Sequence, residues 1–509
     1  MNCTPDKATF LHKATLGNLV PVWRELLADQ VTPVSAYEKL RGFLAGRGGP
    51  ALTFLLESVE GGEHIARYSF LGGGPRAVFT SRGAACELTH ADGRVERREA
   101  DEPLAVLREH MARYHLVPDP ALPRFHGGAV GYVGYDAVAR FEPRVKLAEK
   151  PVLDWPDVLM GVTDTILIFD HTRHTLKVVA NVHIDGDAGA AYDAAVRQLD
   201  ALCAALTAPL PHQVLNVQDK PAPLPATSNL TREQFGASVR KAKEYIRAGD
   251  IIQVVLSQRF EVDCDADPLD VYRAIRCVNP SPYLYCLEFG GRAVVGSSPE
   301  IHVRNEEGRV EVRPIAGTRP RSEDPVEDAA LATELLADPK ERAEHIMLVD
   351  LGRNDLGRVC RFGTVSVPEL MVIERYSHVM HIVSDVVGEL APEHDAYDLM
   401  RATFPAGTVS GAPKIRAMEI VGELEPERRG PYAGAIGYFG FSGNLDSCIT
   451  IRTALLDGKK AYVQAGAGIV ADSDPDKEYD ETCNKARGML VALALSRRFA
   501  AARAQGGRP

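Results

Sequence analysis

Two pairs of glutamates, each with its members three residues apart, are the side chains in this sequence best spaced to act together. Glu341 and Glu344 lie in "KERAEHIMLVDL", and Glu478 and Glu481 lie in "DKEYDETCNKA". A separation of three residues places both carboxylates of a pair on one face of a helix. A solvated acidic face is the common meaning of such a pair, although each pair here leads into an apolar helical segment.

If helix packing brings these acids together, their repulsion favours a bound cation. Two carboxylates ~4 Å apart repel by about 4 kcal/mol at an effective dielectric near ~20. A divalent cation would offset that repulsion. Ligation by oxygen alone, with several waters retained, favours Mg²⁺ over zinc, and no His and Cys cluster at zinc spacing competes with it.

The glycines just before the second pair match a dinucleotide-binding pattern, because Gly466, Gly468 and Ala471 spell G-x-G-x-x-A. Such a loop must pass directly from strand to helix, so that the helix N-terminus meets pyrophosphate. Here the glycines are followed by Ile469, Val470 and the acidic "ADSDPD", which would repel phosphate. A dinucleotide site is therefore rejected. A glycine bulge at a strand end and a backbone edge that approaches an anion both remain open.

The second glycine-rich stretch, "PAGTVSGAPKIRAMEIV" (405–421), is not a P-loop. Only three residues separate Gly407 from Gly411, and Lys414 is displaced from the P-loop position. The small-residue loop leads through Pro413 into an amphipathic helix. It is either a plain helix start or a carboxylate-binding helix N-terminus.

Two histidines lie in the strand-like segment "YSHVMHIVS". His378 and His381 are three residues apart, so they point to opposite faces of a strand. One of them could face a cavity, and spacing alone does not choose between them. A structural role is the ordinary one for a histidine in a strand.

The composition is that of a globular protein. The chain has 509 residues, a net charge of −11, 45% hydrophobic residues and 25% charged residues, which argues against a nucleic-acid or membrane-surface binder. No apolar run approaches the ~18 residues of a membrane span, and "MNCTPDKATF" lacks the features of a signal peptide. Nine cysteines without C-x-x-C favour reduced thiols, so we expect a cytoplasmic protein.

The pattern of elements predicts an α+β fold, with antiparallel sheets flanked by helices in two domains. A Pro-rich linker at 208–230 separates an N-terminal domain (1–207) from a C-terminal domain (231–497), and 498–509 form a tail. Strands are predicted at 76–81, 166–182, 251–262, 378–390, 434–441, 447–456 and 460–470. Helices are predicted around 101–114, 188–206, 231–248, 328–360 (interrupted by Pro339) and 474–498.

Seven blocks of sequence, taken together and in order, resemble the chorismate-utilising enzymes, and most closely the anthranilate-forming branch of that family. They are "PIAGTRPR" (314–321), "EHIMLVDLGRNDLGRVC" (344–360), "SHVMHIVSDVVGEL" (377–390), "FPAGTVSGAPKIRAMEI" (404–420), "RGPYAGAIGYFGF" (429–441), "IRTALL" (451–456) and "QAGAGIVADSDPDKEYDETCNKA" (464–486). The resemblance is strong over residues 230–495 and weaker before them.

The resemblance implies a fold, a reaction and partners. It implies orthogonally packed antiparallel sheets in two intertwined domains, and the conversion of chorismate and ammonia to anthranilate and pyruvate with Mg²⁺. Ammonia would come from a separate glutamine amidotransferase subunit, since no additional amidotransferase domain is recognisable here, and two large subunits would assemble with two small ones. The alternatives are aminodeoxychorismate synthase component I, isochorismate or salicylate synthases, phenazine-pathway relatives, and a non-catalytic regulator that binds an amino acid.

Residue roles also follow from the resemblance. Glu344 and Glu481 match metal ligands, and Glu341 and Glu478 match supporting carboxylates. The positions that match chorismate-binding residues are Gly317, Thr318, Tyr432, Arg452, Gly466, Ala467 and Gly468. Thr408 lies in the substrate-facing loop. His381 matches the catalytic histidine, which helps the C4 hydroxyl of chorismate to leave, either as general acid itself or beside another acid.

Two positions distinguish members of the resembled family on chemical grounds. Ala316 stands where aminodeoxychorismate synthases commonly carry a nucleophilic lysine, and Gln253 stands where isochorismate and salicylate synthases carry a water-activating lysine. Ammonia needs no such base, so both residues favour the anthranilate-forming branch. Outside that resemblance, Gln253 is simply a polar strand residue.

An inhibitor site is implied in the N-terminal half. "LLESVEGG" (55–62) and "NPSPYLYCLEF" (279–289) resemble the feedback site for L-tryptophan, with Ser58, Pro282, Tyr283 and Leu284 at the matching positions. As plain sequence, "LLES" could be any strand edge. We therefore expect inhibition by tryptophan.

Overall fold

The computed structural model describes residues 2–46, 48–58, 67–147, 150, 153–210, 217–218, 220–376 and 379–504. The strands within these residues are β1 (Leu19–Leu27), β2 (Leu52–Glu57), β3 (Tyr68–Gly73), β4 (Ala77–Arg82), β5 (Ala85–His90), β6 (Val95–Glu99), β7 (Gly128–Val133), β8 (Val158–Thr163), β9 (Thr165–Asp170), β10 (Thr175–His183), β11 (Thr227–Ser228), β12 (Gln253–Asp263), β13 (Tyr283–Phe289), β14 (Arg292–Ser298), β15 (Ile301–Glu306), β16 (Arg309–Val312), β17 (Ile315–Pro320), β18 (Ser366–Arg375), β19 (Val379–Glu389), β20 (Gly411–Ala412), β21 (Ala435–Gly440), β22 (Leu445–Ile449), β23 (Thr453–Asp457) and β24 (Lys460–Ile469).

The helices within the same residues surround these strands. They are α1 (Lys7–Lys13), α2 (Pro33–Leu44), α3 (Pro103–Met111), α4 (Val138–Phe141), α5 (Ala188–Thr207), α6 (Arg232–Arg247), α7 (Pro268–Val278), α8 (Pro325–Ala337), α9 (Pro339–Gly357), α10 (Ala396–Thr403), α11 (Lys414–Leu424) and α12 (Pro475–Ala504), with short 3₁₀ turns at Tyr135–Ala137 and Gly407–Val409. In this part of the chain no helix is both long and apolar enough to cross a membrane. All nine cysteines are free thiols.

The strands form two sheets of twelve strands each, and every described pairing within them is antiparallel. The first sheet has the order β1-β10-β9-β3-β2-β13-β14-β23-β24-β12-β11, with β20 beside β12. The second has the order β17-β19-β16-β15-β22-β21-β7-β8-β4-β5-β6, with β18 beside β19. The predicted α+β class with antiparallel sheets is confirmed.

Strands from both ends of the chain are interleaved in each sheet. In the first sheet β2 pairs with β13, and in the second sheet β7 pairs with β21. A core cluster that includes Phe54, Phe70, Tyr132 and Ile436 combines apolar side chains of both sheets. The domain boundaries at 207 and 231 stay predictions. Within the predicted linker, Thr227 and Ser228 form β11 against β12.

The strands predicted across 166–182 and 447–456 are wrong as single elements. Residues 171–174 form a turn between β9 and β10, which pair with each other. The segment 447–456 is divided between the two sheets. β22 ends at Ile449 in the second sheet, and β23 begins at Thr453 in the first. The turn between them holds Arg452 with a φ of 51°, a left-handed conformation that is uncommon for residues with a side chain. The chain therefore crosses from one sheet to the other at Arg452.

Both helices that carry the glutamate pairs begin at an Asp-Pro dipeptide. Asp338 accepts hydrogen bonds from the backbone N–H groups of Lys340 and Glu341 and so caps α9. Asp474 accepts two equivalent bonds in the first turn of α12. Proline at the first helical position has a φ suited to the helix and no N–H to leave unpaired. The predicted interruption of the 328–360 helix at Pro339 is confirmed.

Candidate active site

Each glutamate pair interacts across one face of its own helix. Burial raises the pKa of Glu341, and the charges of Glu344 and Asp338 raise it further. Burial also raises the pKa of Glu478, with Glu481 adding to the effect. Like charges on one helical face disfavour ionisation of their neighbours, so both faces are sites where a cation would be stabilised.

The two glutamate faces are related in space, but the structure does not join them into one cluster. The charge of Lys340, at the start of α9, lowers the pKa of Glu478 on α12, so these helix ends approach each other. Lys485 Nζ lies 2.6 Å from Glu481 Oε1. Among the described residues, no group of three or more His, Cys, Asp or Glu side chains is arranged to hold a metal ion.

The glycines of β24 lie beside residues of the predicted substrate site. A Cβ on Gly466 would lie 2.9 Å from Tyr432 Oη, and one on Gly468 would lie 2.6 Å from Gln253 Nε2, so these side chains pack closely against the two glycines. Gly466 O accepts a hydrogen bond from Lys485 Nζ at 3.1 Å. β23 pairs with β24 only between residues 460 and 463. At Gly466 the edge of β24 that lies opposite β12, here called the glycine edge, therefore faces side chains instead of a described strand. Ala467, between the glycines, is buried.

Arg452 stands next to this glycine edge. Burial lowers the pKa of its guanidinium, whereas Tyr432 and Glu481 raise it, so both oxygen-bearing groups lie within electrostatic reach of Arg452. Burial raises the pKa of Tyr432 to about 12, which keeps its hydroxyl a hydrogen-bond donor. Arg452, Glu481 and Lys485 line one open cavity of about 560 Å³. The structure thus brings together a cationic and hydrogen-bonding surface suited to an anion.

His381 is fixed against the bulge of the neighbouring strand. Its Nδ1 lies 3.0 Å from Thr318 Oγ1 and 3.1 Å from Gly317 O. Gly317 has a φ of 72°, and a Cβ there would lie 3.2 Å from Glu341 Oε2, so this bulge also contacts α9. Burial lowers the pKa of His381, partly opposed by the bond to Gly317, while Arg452 lowers it further. His378 lies outside the described residues.

The tautomer of His381 follows from its partners. A carbonyl oxygen only accepts hydrogen bonds, so Nδ1 carries the proton that is donated to Gly317 O. With its pKa lowered, the ring is neutral near pH 7 and Nε2 is an acceptor. His381 is therefore better suited to accept a hydrogen bond than to donate a proton from Nε2.

Glu300 is a site residue that the sequence did not indicate. It lies between β14 and β15, is buried, and accepts a hydrogen bond from Thr408 Oγ1 at 2.6 Å. Burial raises the pKa of Glu300 to about 8, opposed by Thr408, by the Ile315 backbone N–H and by Lys485. Glu300 is thus protonated near neutral pH and lies within electrostatic reach of the same lysine that contacts the glycine edge.

A buried ion pair ties the site's elements together. Arg429 is 1% exposed and donates to Glu425 from both Nε and Nη2, at 2.9 and 2.6 Å. It also donates to Val409 O, beside Thr408, and to Val255 O on β12. Glu425 accepts two further bonds, from the backbone N–H and hydroxyl of Ser257, so the pair is well hydrogen-bonded.

Replacement of Arg429 by methionine is expected to lower the free energy of unfolding by about 3–5 kcal/mol, because Glu425 would keep a buried charge without its partner. Denaturant unfolding followed by circular dichroism measures this loss. The double variant Arg429→Met/Glu425→Leu is expected to recover a large part of it. A double variant as unstable as the single one would contradict an origin in the uncompensated charge.

The residues predicted to bind the inhibitor line one cavity. Ser58, Pro282, Tyr283 and Leu284 come together because β2 and β13 are paired. The other lining residues are Leu56, Glu57, Tyr68, Phe70, Arg124, Tyr285, Arg304, Ile436, Gly437, Tyr438, Asp446 and Cys448. The Ser58 hydroxyl is buried and has no hydrogen-bond partner among the described residues. Aromatic walls with charged groups of both signs suit an aromatic zwitterion.

Comparison with known proteins identifies the family. The family model described as "chorismate binding enzyme" matches residues 53–491, so the chain is a chorismate binding enzyme by family. The chain is also 48% identical over 480 residues to anthranilate synthase component 1 of Acetivibrio thermocellus, covering 94% of this chain and 95% of that protein. It thus belongs to the anthranilate synthase component 1 family, and the resemblance drawn from the motifs is confirmed.

Solved structures agree with this assignment. The crystal structure of anthranilate synthase component I from Streptococcus pneumoniae TIGR4 matches with a TM-score of 0.73 and 40% identity, covering 85% of this chain and 94% of that chain. The menaquinone-specific isochorismate synthase of Escherichia coli matches with a TM-score of 0.66 over 96% of this chain and 98% of its own, at 19% identity. The second match reflects the fold alone.

Proposed function

We propose that this chain converts chorismate and ammonia to anthranilate and pyruvate, as the large subunit of an anthranilate synthase that acts in tryptophan biosynthesis. The observation that carries the proposal is the combination of Arg452, Tyr432, Lys485 and the glycine edge of β24 beside a buried, protonated Glu300. This arrangement supplies groups that hold an anion next to a group that donates a proton.

Chorismate is a dianion, and the site offers donors for its carboxylates. Arg452 provides a charge-assisted hydrogen bond, and the backbone N–H groups at Gly466 and Gly468 are approachable because no Cβ blocks them. The Tyr432 hydroxyl lies 2.9 Å from the position that a Cβ on Gly466 would take. Thr318 and Ala467 complete the proposed binding surface, with Gly317 shaping the bulge opposite.

The carboxylates present fit Mg²⁺, which retains several waters and needs only one or two protein carboxylates beside the substrate's oxygens. Glu344 and Glu481 would hold the ion, and Glu341 and Glu478 would hydrogen-bond its waters. The raised pKa values of Glu341 and Glu478 support this fit, because a cation relieves the repulsion within each pair. When bound, the ion would supply Lewis-acid polarisation of the ring carboxylate.

Proton transfer is assigned to Glu300. Ammonia forms a bond to C2 of chorismate while the bond from C4 to its hydroxyl breaks, and the departing oxygen takes a proton. Glu300, which accepts a hydrogen bond from Thr408, is the proposed proton donor. His381 is the proposed proton acceptor, through its Nε2. Loss of a proton and of pyruvate from the amino intermediate then gives the aromatic product.

Two residues favour this reaction over those of related enzymes. Ala316 cannot attack chorismate as the lysine of aminodeoxychorismate synthases does. Gln253 is 3% exposed, faces Gly468, and cannot deprotonate water as a lysine does in isochorismate synthases. The alternatives remain aminodeoxychorismate synthase component I and the isochorismate or salicylate synthases.

Product identification tests the proposal. Purified chain incubated with chorismate, an ammonium salt and Mg²⁺ is expected to form fluorescent anthranilate and pyruvate, and EDTA is expected to abolish the reaction. Aminodeoxychorismate or isochorismate as the product would assign the chain to one of the alternatives. Absence of any chorismate consumption would instead favour a non-catalytic binding protein.

The partners follow from the same proposal. Ammonia is delivered by a separate glutamine amidotransferase subunit, in an assembly of two large and two small subunits located in the cytoplasm. L-tryptophan occupies the cavity between β2 and β13 and inhibits the reaction. Support comes from the Ser58 hydroxyl in that cavity, which has no hydrogen-bond partner in the part of the chain that the structure describes.

Replacement of Ser58 by alanine is expected to weaken inhibition by tryptophan about tenfold, because one hydrogen bond to the inhibitor is worth about 1.4 kcal/mol. The readout is the tryptophan concentration that halves anthranilate formation. Turnover without tryptophan is expected to be unchanged, since Ser58 is not among the residues assigned to chorismate. Wild-type sensitivity in this variant would remove Ser58 from the inhibitor site.

A further inference from the structure

A small cavity adjoins the proton donor of the site. It has a volume of about 40 Å³, and its walls include Glu300 and Thr408 together with Leu351 and Asp355 of α9. A cavity needs roughly 10–15 Å³ to hold one water molecule, so this one admits a few water-sized molecules. Ammonia has that size and, like water, can donate and accept hydrogen bonds.

A wide groove lies on the other side of Leu351 and Asp355. It measures about 650 Å³, runs between α9, α11 and the start of β12, and has the same two side chains in its wall. Ile252 and Ile346, which also line it, are 63% and 41% exposed, so the groove is open to the outside. Leu351 and Asp355 therefore form the partition between the groove and the small cavity.

The charge of Asp355 in the partition is paired with a lysine. Lys414 Nζ lies 2.6 Å from Asp355 Oδ2 and also donates to Thr403 O at 3.0 Å. Burial, with a smaller contribution from Lys414, lowers the pKa of His302 in the cavity wall to about 3, which keeps that ring neutral. A cation that enters a buried space without a compensating charge loses hydration that nothing replaces. The passage therefore favours neutral ammonia over the ammonium ion.

We propose that ammonia reaches the active site through this passage, entering at the groove between α9 and α11 and passing Leu351 and Asp355 to reach Glu300 and Thr408. The inference rests on the proposed function, because it requires that ammonia be the nucleophile. Among the described residues, the cavity lined by Arg452, Glu481 and Lys485 has no wall residue in common with this passage. Chorismate and the ammonia released by the amidotransferase subunit then enter by different routes.

Narrowing the partition tests the passage. In the complex with the chain's own amidotransferase subunit, Leu351→Trp is expected to reduce glutamine-dependent anthranilate formation by about tenfold or more. Anthranilate formation from a saturating ammonium salt is expected to stay near the wild-type rate, because free ammonia also enters with chorismate. Glutaminase activity is expected to remain. Leu351→Met, which conserves the volume, is the matched control.

The ratio of the two activities decides the outcome. An unchanged ratio of glutamine-dependent to ammonium-dependent rate in Leu351→Trp overturns the passage, whether both rates persist or both fall. Leu351→Phe is measured in the same way, since it adds less volume and tests the ratio if the tryptophan variant folds poorly. Failure of the wild-type chain to form anthranilate from ammonium would contradict the proposed function instead.

Discussion

Replacement of Glu300 by glutamine is expected to lower kcat for ammonium-dependent anthranilate formation by about 10²–10⁴-fold, the range that a general acid contributes. Glutamine keeps the shape and can still accept the hydrogen bond from Thr408, but it cannot give a proton to the departing hydroxyl. Glu300 is buried, and its carboxyl accepts the Thr408 hydroxyl at 2.6 Å. Steady-state rates give kcat, and equilibrium titration gives the affinity for chorismate, which is expected to change little.

The pH profile gives a second test of the same residue. Because burial raises the pKa of Glu300 to about 8, the protonated form predominates below that pH and is lost as the pH rises through it. Wild-type kcat is therefore expected to fall on the alkaline side near this value. The residual activity of Glu300→Gln is expected to lack this alkaline decrease in kcat.

A matched substitution separates the effect from a general loss of charge. Glu393 is an exposed glutamate, and Glu393→Gln is expected to retain the wild-type rate. If Glu300→Gln also retains it, then another group donates the proton. Ordinary thermal unfolding of both variants shows whether folding is preserved.

Removal of the His381 imidazole is expected to reduce turnover by about a hundredfold or more, with Mg²⁺ and chorismate binding retained. The imidazole holds the bulge at Gly317 through Nδ1 and presents Nε2 as an acceptor. In His381→Ala both interactions are lost. The measurements are kcat with ammonium and the affinities for chorismate and Mg²⁺.

Two further variants define what His381 does. His381→Asn can still donate to Gly317 O, so a partial recovery relative to alanine would assign part of the effect to positioning of the bulge. His12 is exposed on α1, and His12→Ala is expected to behave as wild type. Unchanged turnover in His381→Ala would remove the residue from the mechanism.

Local sequence signals predicted the helices of the site correctly. The helix starts at Asp338-Pro339 and Asp474-Pro475 depend on capping by the aspartate and on the missing proline N–H, and both effects act within one turn. The i,i+3 spacing of the glutamates likewise fixes their common face from geometry alone. The approach of α9 to α12 depends on packing between distant segments, and no local pattern determines it.

Other features were not predicted from the sequence, because the local secondary-structure propensity of these segments conflicts with the tertiary structure. The segment 447–456 is rich in β-branched residues and favours a continuous strand, yet the chain changes sheets at Arg452. Glu300 follows "SSP" between two strands, which is typical of an exposed turn, and nothing nearby indicates that the carboxyl is buried. The pairing of β2 with β13 that assembles the Ser58 cavity was accessible only through family resemblance.

The interleaving of distant strands in both sheets has a consequence for how the chain is made. β2 cannot form its pairing with β13 until β13 has been synthesised. β7 cannot pair with β21 until β21 has left the ribosome, which happens only near the end of translation. Until then the early strands expose unpaired edges, and these favour association with other nascent chains. Because this topology is dominated by non-local pairing, we expect slow maturation, assistance by chaperones and aggregation of prematurely terminated products.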